Sequence, residues 1–336
     1  MLFNKDGNGI AEMKSILGFI YASNSFDNLK TDLMLAESDL RLLLGAKLYD
    51  AIQTHYLSDD FNVDNETDEA LILLNSLVDY LRHPLAFYAF RAYSAHADVT
   101  HSDKGRQILV SENEKPAFQW QIERDDMAMT LKANRLTDRL LDFIEENKSS
   151  AFLTENWTSE PAYIATKELF LNSAREFQYV YPIDDSRRFF LTVTPFIREI
   201  ERTTILAVLG PDAFAALKAE ISDGEMTPTG TAILQRIKVP LALYAMVTSL
   251  KRLGIEVLPN AVVENFNPGY FTVKATKSAS LNAKASLIAS LEEQASKALV
   301  SLQEYLAAKR AETEGVPFVG QNLIERNVIE NKHFRV

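Results

Sequence analysis

The sequence contains no cysteine. That excludes disulfides, thiolate nucleophiles, and zinc or iron–sulfur centres held by cysteine. Glycine is sparse, 12 of 336 residues, and none of it builds G-x-G-x-x-G or G-x-x-x-x-G-K-[ST]. A phosphate-cradling loop of either kind is therefore missing. No G-x-S-x-G turn is present, so a nucleophile elbow is excluded as well. Long apolar runs are also scarce: Val239 to Leu250 is about half of what a bilayer crossing needs. Lys5 and Asp6 precede only a short mixed segment, not the apolar core of a leader peptide. The expectation from these two points is a cytosolic protein with no membrane partner. Basic residues are outnumbered, 35 Lys and Arg against 46 Asp and Glu, a net charge of −11. Such a chain does not grip a nucleic-acid backbone over its whole surface.

The residues that do carry chemistry form no recognisable centre. His96 and His101 flank Asp98, with Asp103 nearby, but the spacing fits no usual zinc pattern and a polar helix end explains it. Asp60, Asn62 and Asp64 begin like a calcium loop, which then fails at Asn65, where glycine is needed, and at Leu71, where a glutamate belongs. The carboxylate pairs Asp125-Asp126, Glu145-Glu146 and Glu292-Glu293 sit on helix patterns with solvated faces. Arg187-Arg188 and Lys251-Arg252 are short basic pairs of the kind that bind neighbouring carboxylates. Trp120 and Trp157 read as anchors of a core or an interface. No catalytic residue, metal or cofactor is expected.

What the sequence does have is an internal repeat. Pro84-Leu85-Ala86-Phe87-Tyr88-Ala89 recurs as Pro240-Leu241-Ala242-Leu243-Tyr244-Ala245, with Arg82 and Lys238 two positions before each proline. Leu44-Gly45 matches Leu209-Gly210, and an amphipathic run follows each. Val110-Ser111-Glu112-Asn113 matches Val262-Val263-Glu264-Asn265, and Leu140, Phe143, Ile144 match Leu302, Tyr305, Leu306. The offsets, 165, 156, 152 and 162, keep the order and put the length differences into polar links. The chain reads as two copies of one mostly helical module. The expected division is an N-terminal arm over 1–20, a first module over 21–160, a second over 161–312, and an extended C-terminal tail over 313–336.

Within each module the apolar period is helical, as in Leu29, Leu33, Leu40 and in Met129, Ala133, Leu136, Leu140. Gly45 reads as a left-handed helix terminator. The helices holding Pro84 and Pro240 should kink or restart at the proline. Gln107 to Gln121 and Ile255 to Val273 change period around turn residues and predict two short β-hairpins or extended arms. The fold class is therefore mainly α, two tandem helical bundles, each with a short hairpin. The tail after Gly315 carries Phe318, Val319, Leu323, Ile324, Val328, Ile329 and Phe334, too apolar for an unpartnered tail. It is expected to pack against another subunit or a neighbouring protein.

A helix ending in Leu-Gly, an aromatic-bearing helix, an Ala-rich helix preceded by Arg or Lys, a hairpin and a closing amphipathic helix resemble the head-to-tail connector (adaptor) proteins of tailed bacteriophages. The stretches are Leu42 to Tyr56, Leu77 to Tyr93 and Met129 to Ile144, then Ile205 to Ile221, Ile233 to Leu250 and Leu287 to Leu306. Those connectors are usually single modules, whereas this chain has two and an apolar tail, and Pro84 and Pro240 have no assigned place in the family pattern. The resemblance implies a structural virion protein at the head–tail junction, assembled in the host bacterial cytoplasm. It implies a ring under the portal related to twelvefold symmetry, with about twelve copies, or about six if each chain fills two places. Its partners would be itself, the portal protein, and tail or other connector proteins, with duplex DNA passing through the lumen without specific binding. The contact residues expected on that basis are Phe118, Trp120, Tyr270, Phe271, Phe318 and Phe334. Two other readings are a cytosolic helical-repeat adaptor for another protein, and an enzyme with a scattered site around His96, His101 and Asp98.

Overall fold

The computed structural model describes residues 1–19, 25–61, 67–103, 105–107, 117–253, 255–258, 261–264 and 281–314. The protein is mainly α and divides into two compact units. The first is residues 1–165 with 186–188 and 264–280, and the second is 166–185, 189–263 and 281–336.

In chain order the first stretch contains α1 (Gly9–Leu17), α2 (Phe26–Leu44), α3 (Ala46–Leu57), α4 (Glu69–Ala97), β1 (Thr100–Ser102), β2 (Gly105–Gln107), α5 (Gln119–Glu146) and α6 (Ala151–Leu153). A π-helical turn, Thr154–Thr158, and α7 (Pro161–Lys167) close it. Then come α8 (Ala174–Val180), α9 (Arg187–Ile200), a second π-helical turn (Glu201–Ile205), α10 (Leu206–Leu209), α11 (Pro211–Asp223), α12 (Pro228–Arg252), β3 (Ile255–Leu258), β4 (Ala261–Glu264) and α13 (Leu281–Glu314). The order helix, long helix, glycine, short helix, proline-bearing helix, ribbon, long helix occurs in both units.

The first unit is built around α4, which packs against α1, α2, α3 and α5. Its Leu77, Val78, Leu81, Leu85 and Ala89 fall on one helical face and are fully buried. In the second unit the positions matching Leu81, Leu85, Ala86 and Ala89 are Ile237, Leu241, Ala242 and Ala245, all fully buried in the same core as Ile197, Ile205 and Leu302. Burying each such large side chain contributes about 1.5–3 kcal/mol. By length and composition α12 could cross a membrane, but here its apolar face is the core of the second unit.

Both long helices start on a side-chain cap. Asp68 accepts the Ala70 N–H at 2.8 Å, and Thr227 accepts the Gly230 N–H at 2.9 Å with Pro228 in the first turn. Neither restarts at its proline: α4 runs through Pro84 and α12 through Pro240, both prolines buried. The residue four places after each proline, Tyr88 or Tyr244, is half-buried and ties the proline helix to the next long helix. Tyr88 Oη donates to Asn134 Oδ1 at 2.8 Å, and Tyr244 Oη lies 3.1 Å from Ser296 Oγ.

Three expectations are corrected. Residues 1–19 are no arm: Leu2, Phe3 and Met13 are fully or almost fully buried and α1 packs on α4. The turn-forming residues Asn4 to Asn8 precede this short helix, and Gly9 is its first residue. Gly45 has positive φ, +88°, but its ψ of 144° is extended, not left-handed helical. It ends α2 and starts α3 in a single residue, as Gly210 (φ +81°, ψ 159°) does between α10 and α11. A ribbon β1–β2, paired antiparallel with Thr100 opposite Gln107, precedes the first expected hairpin, of which residues 108–116 lie outside the described residues and Gln119 to Gln121 are helical. β3 and β4 also form a two-stranded sheet. The rest of the expected second hairpin and the tail from Gly315 lie outside the described residues.

Candidate functional site

The expected contact residues separate into two groups. Phe118 is the N-cap of α5 and Trp120 lies in its first turn, both exposed, at 67% and 45%. Trp120 is thus on a helix rather than in a hairpin, because the Gln121 side chain reaches back to the Phe118 N–H at 3.0 Å and starts the helix there. Tyr270, Phe271, Phe318 and Phe334 lie outside the described residues. Trp157 is half-buried against Tyr163, ring centroids 4.5 Å apart.

A further apolar surface was hidden in the sequence. On α2, Met34, Leu35 and Leu42 are 56%, 62% and 80% exposed. They lie on the side of the helix away from buried Leu29, Leu33, Ala36 and Leu40. The helix carries leucine on nearly every side, so periodicity alone did not separate the buried stripe from the outer one. The exposed stripe belongs to the first unit only, since the matching residues of the second are Arg198, Glu199 and Ala207.

Polar side chains gather in a groove of about 480 Å³ in the first unit, lined by Lys5, Glu12, Tyr56, Asn75, Asp79 and Arg82 among others. Tyr56 Oη accepts the Lys5 N–H at 3.0 Å and donates to Glu12 at 3.1 Å. Arg82 pairs with Glu12 at 3.0 Å and lies over the rings of Phe3, 4.7 Å from its centroid, and Tyr56, 5.4 Å away. Burial pushes the Tyr56 phenol up to about 12. At one edge His55 Nε2 is 2.8 Å from Asn75 Oδ1. The groove therefore fastens α1, α3 and α4 together by charge matched to charge. Its position equivalents fasten the second unit, where Lys238 pairs with Glu176 of α8 at 2.5 Å. Arg82 and Lys238 were visible in the sequence as the basic residue before each proline. Their partners were not, because residues 1–20 read as an arm.

Among the described residues the most deeply buried charge is Glu201, whose side chain is 3% exposed. It accepts from the Phe170 N–H and, at 2.6 Å, from Lys218 Nζ, which sits 3.9 Å from the Phe170 ring centroid. Burial raises the Glu201 carboxyl above its ordinary range and lowers the Lys218 ammonium, while their mutual attraction opposes both shifts. The first unit has Glu37 in the same role, accepting the Leu2 N–H at 2.6 Å.

The basic pairs are spent on carboxylates: Arg187 on Asp142, Lys251 on Glu292, and Arg252 on Glu199 at 2.6 and 2.9 Å. His96 and Asp98 are exposed at the end of α4. Among the described residues no three His, Asp or Glu side chains come close enough to hold a metal. These charged and polar side chains bind helix to helix, whereas Met34, Leu35 and Leu42 of α2 and Phe118 and Trp120 at the start of α5 are exposed.

The family described as "Family of unknown function (DUF6712)" matches residues 40–166 and 205–314, one stretch in each half of the chain. No curated protein and no solved structure matches it.

Proposed function

The chain belongs to that family, and from its presence in both halves we propose that the protein is a structural connector of a tailed-bacteriophage virion. In this reading it forms a ring beneath the portal through which the genome passes, and it has no catalytic role. The observation that carries the reading is the repetition itself. Two units with the same element order and the same buried positions supply one helical framework twice, and closed assemblies are built from repeated like contacts between copies. Phe118 and Trp120, with Met34, Leu35 and Leu42, are among the exposed apolar side chains available for such contacts. The partners are further copies of the chain, the portal protein, and tail or other connector proteins. Duplex DNA passes without being gripped, since a net charge of −11 repels phosphates.

The test is the mass of the purified chain in solution, followed by imaging with and without a portal protein. The expected result is a closed ring of many copies of the 37.8 kDa chain, formed alone or on the portal. A monomer at every concentration, unchanged by the portal protein, would overturn the proposal. Tight, salt-sensitive binding to duplex DNA would overturn the account of the lumen.

A further inference from the structure

The outward side of α5 carries a line of basic side chains. Arg124, Ala128, Lys132, Arg135 and Arg139 follow one another at spacings of four, four, three and four, one face of a helix over about 22 Å. All five are exposed, on the side away from buried Met129, Ala133, Thr137 and Leu140. Lys132 Nζ stands 4.9 Å from the Phe87 ring centroid. Among the described residues Arg124, Arg135 and Arg139 make no ion pair. Asp138 and Asp142, beside the line, are taken by Ser186, Arg187 and Arg188. Glu123 and Asp125 flank Arg124, so the positive charge is strongest from Lys132 to Arg139.

The second unit shows that the fold does not require this line. Its α13 matches α5 at Ala133 with Ala295 and Leu140 with Leu302, all fully buried, and at Asn134 with Ser296, the partners of Tyr88 and Tyr244. At the five positions of the line α13 has Ser286, Ser290, Gln294, Lys297 and Ser301, all exposed. Lys297 is paired with Glu293 at 2.6 Å. The arginines therefore belong to the outer face of the first unit, not to the helix as a repeated part. Unpaired guanidinium groups on a chain of net charge −11 mark a face suited to carboxylates or other oxyanions.

We propose that this line receives the acidic turn Asp59-Asp60 of a second copy of the chain. Charge complementarity selects that occupant. Residues 48–81 hold no lysine or arginine, the longest such stretch of the sequence, and Asp59, Asp60, Glu69 and Asp79 within it are exposed. The two faces belong to one unit but do not meet within a chain. The basic line looks away from α4, on which α5 packs, the acidic turn follows α3, and no ion pair among the described residues joins them. A basic face and an acidic face on different sides of one unit make a head-to-tail contact, the kind that closes into rings. Arginine forks bind carboxylates through paired hydrogen bonds, and opposed charges fix which faces meet. The inference rests on the proposed assembly of copies, to which it adds a charged contact beside the apolar side chains.

Charge reversal in the full-length chain, cleared of nucleic acid by nuclease, tests this. One variant carries Arg135→Glu with Arg139→Glu, the other Asp59→Lys with Asp60→Lys. All four side chains are exposed, and urea midpoints matching the parent's confirm that both variants fold. Light scattering over a concentration series, with and without the portal protein, reads assembly. Each variant alone should need a concentration about tenfold above the parent's to assemble. An equimolar mixture of the two should assemble as the parent does, because each then offers the charge the other needs. Variants that assemble like the parent would remove this contact and leave the ring reading standing. Folded variants whose mixture stays apart would also overturn it, and would assign the line to another anionic partner. A parent that is monomeric throughout would defeat the ring reading, and this inference with it.

Discussion

Gly45 and Gly210 each end one helix and begin the next in a backbone region that is close to glycine-only. A Cβ at either would meet nothing within 4 Å, so alanine there brings backbone strain without a clash. Gly45→Ala and Gly210→Ala should each lower stability by about 1–3 kcal/mol in urea titration, and an unchanged midpoint would contradict the assigned conformation. The Leu-Gly pairs were legible as helix ends, but whether ψ is helical or extended depends on where the next helix packs, which no local pattern states. Glu201 makes a second prediction. Its carboxyl is raised by burial, so between the unfolded and the folded pKa the native state holds more protons than the unfolded one. Stability from this group is therefore lost as pH rises through and above the ordinary carboxylate range. Relative to Glu201→Gln, which lacks the titration, the parent should lose stability over that range in urea melts at successive pH values. A constant difference would remove the argument. Glu201 itself could not be found from sequence, where it is one glutamate in Arg198-Glu199-Ile200-Glu201-Arg202.

The helix from α9 to α10 shows how one element absorbs a length change. Leu29, Leu33, Ala36 and Glu37 match Val193, Ile197, Ile200 and Glu201, and then Leu40 and Leu44 match Ile205 and Leu209 only if the second unit has one more residue. The extra residue falls in the π-helical turn Glu201–Ile205. A turn with i→i+5 bonds takes in one residue without breaking the helix or moving the buried positions on either side. Deleting exposed Thr203 should therefore convert this turn to α-helix, as in α2, and leave a folded protein with unchanged helical circular dichroism. Loss of the fold would mean that the bulge is required. Periodicity found α2 because its buried residues recur every three or four positions. It misread the end of the first expected hairpin, because Phe118 and Trp120 look like strand residues, yet Gln121 caps a helix at Phe118.

At the scale of the molecule, the repeat was readable from Pro84 and Pro240 and from Leu44-Gly45 and Leu209-Gly210. The structure adds matched charges that no short motif carries, Arg82 with Glu12 and Lys238 with Glu176. The outward surfaces were the least legible part. A leucine at position 42 and one at position 40 look alike in sequence, and only packing tells that one is exposed and the other is not. That difference is also where the halves diverge, since Met34, Leu35 and Leu42 stand against Arg198, Glu199 and Ala207. On this one helix face the first half is apolar where the second carries Arg198 and Glu199. In the proposed ring, a copy displaced by half a chain would set Met34 and Leu35 where Arg198 and Glu199 stand, so the difference between the halves would fix the register of the contact.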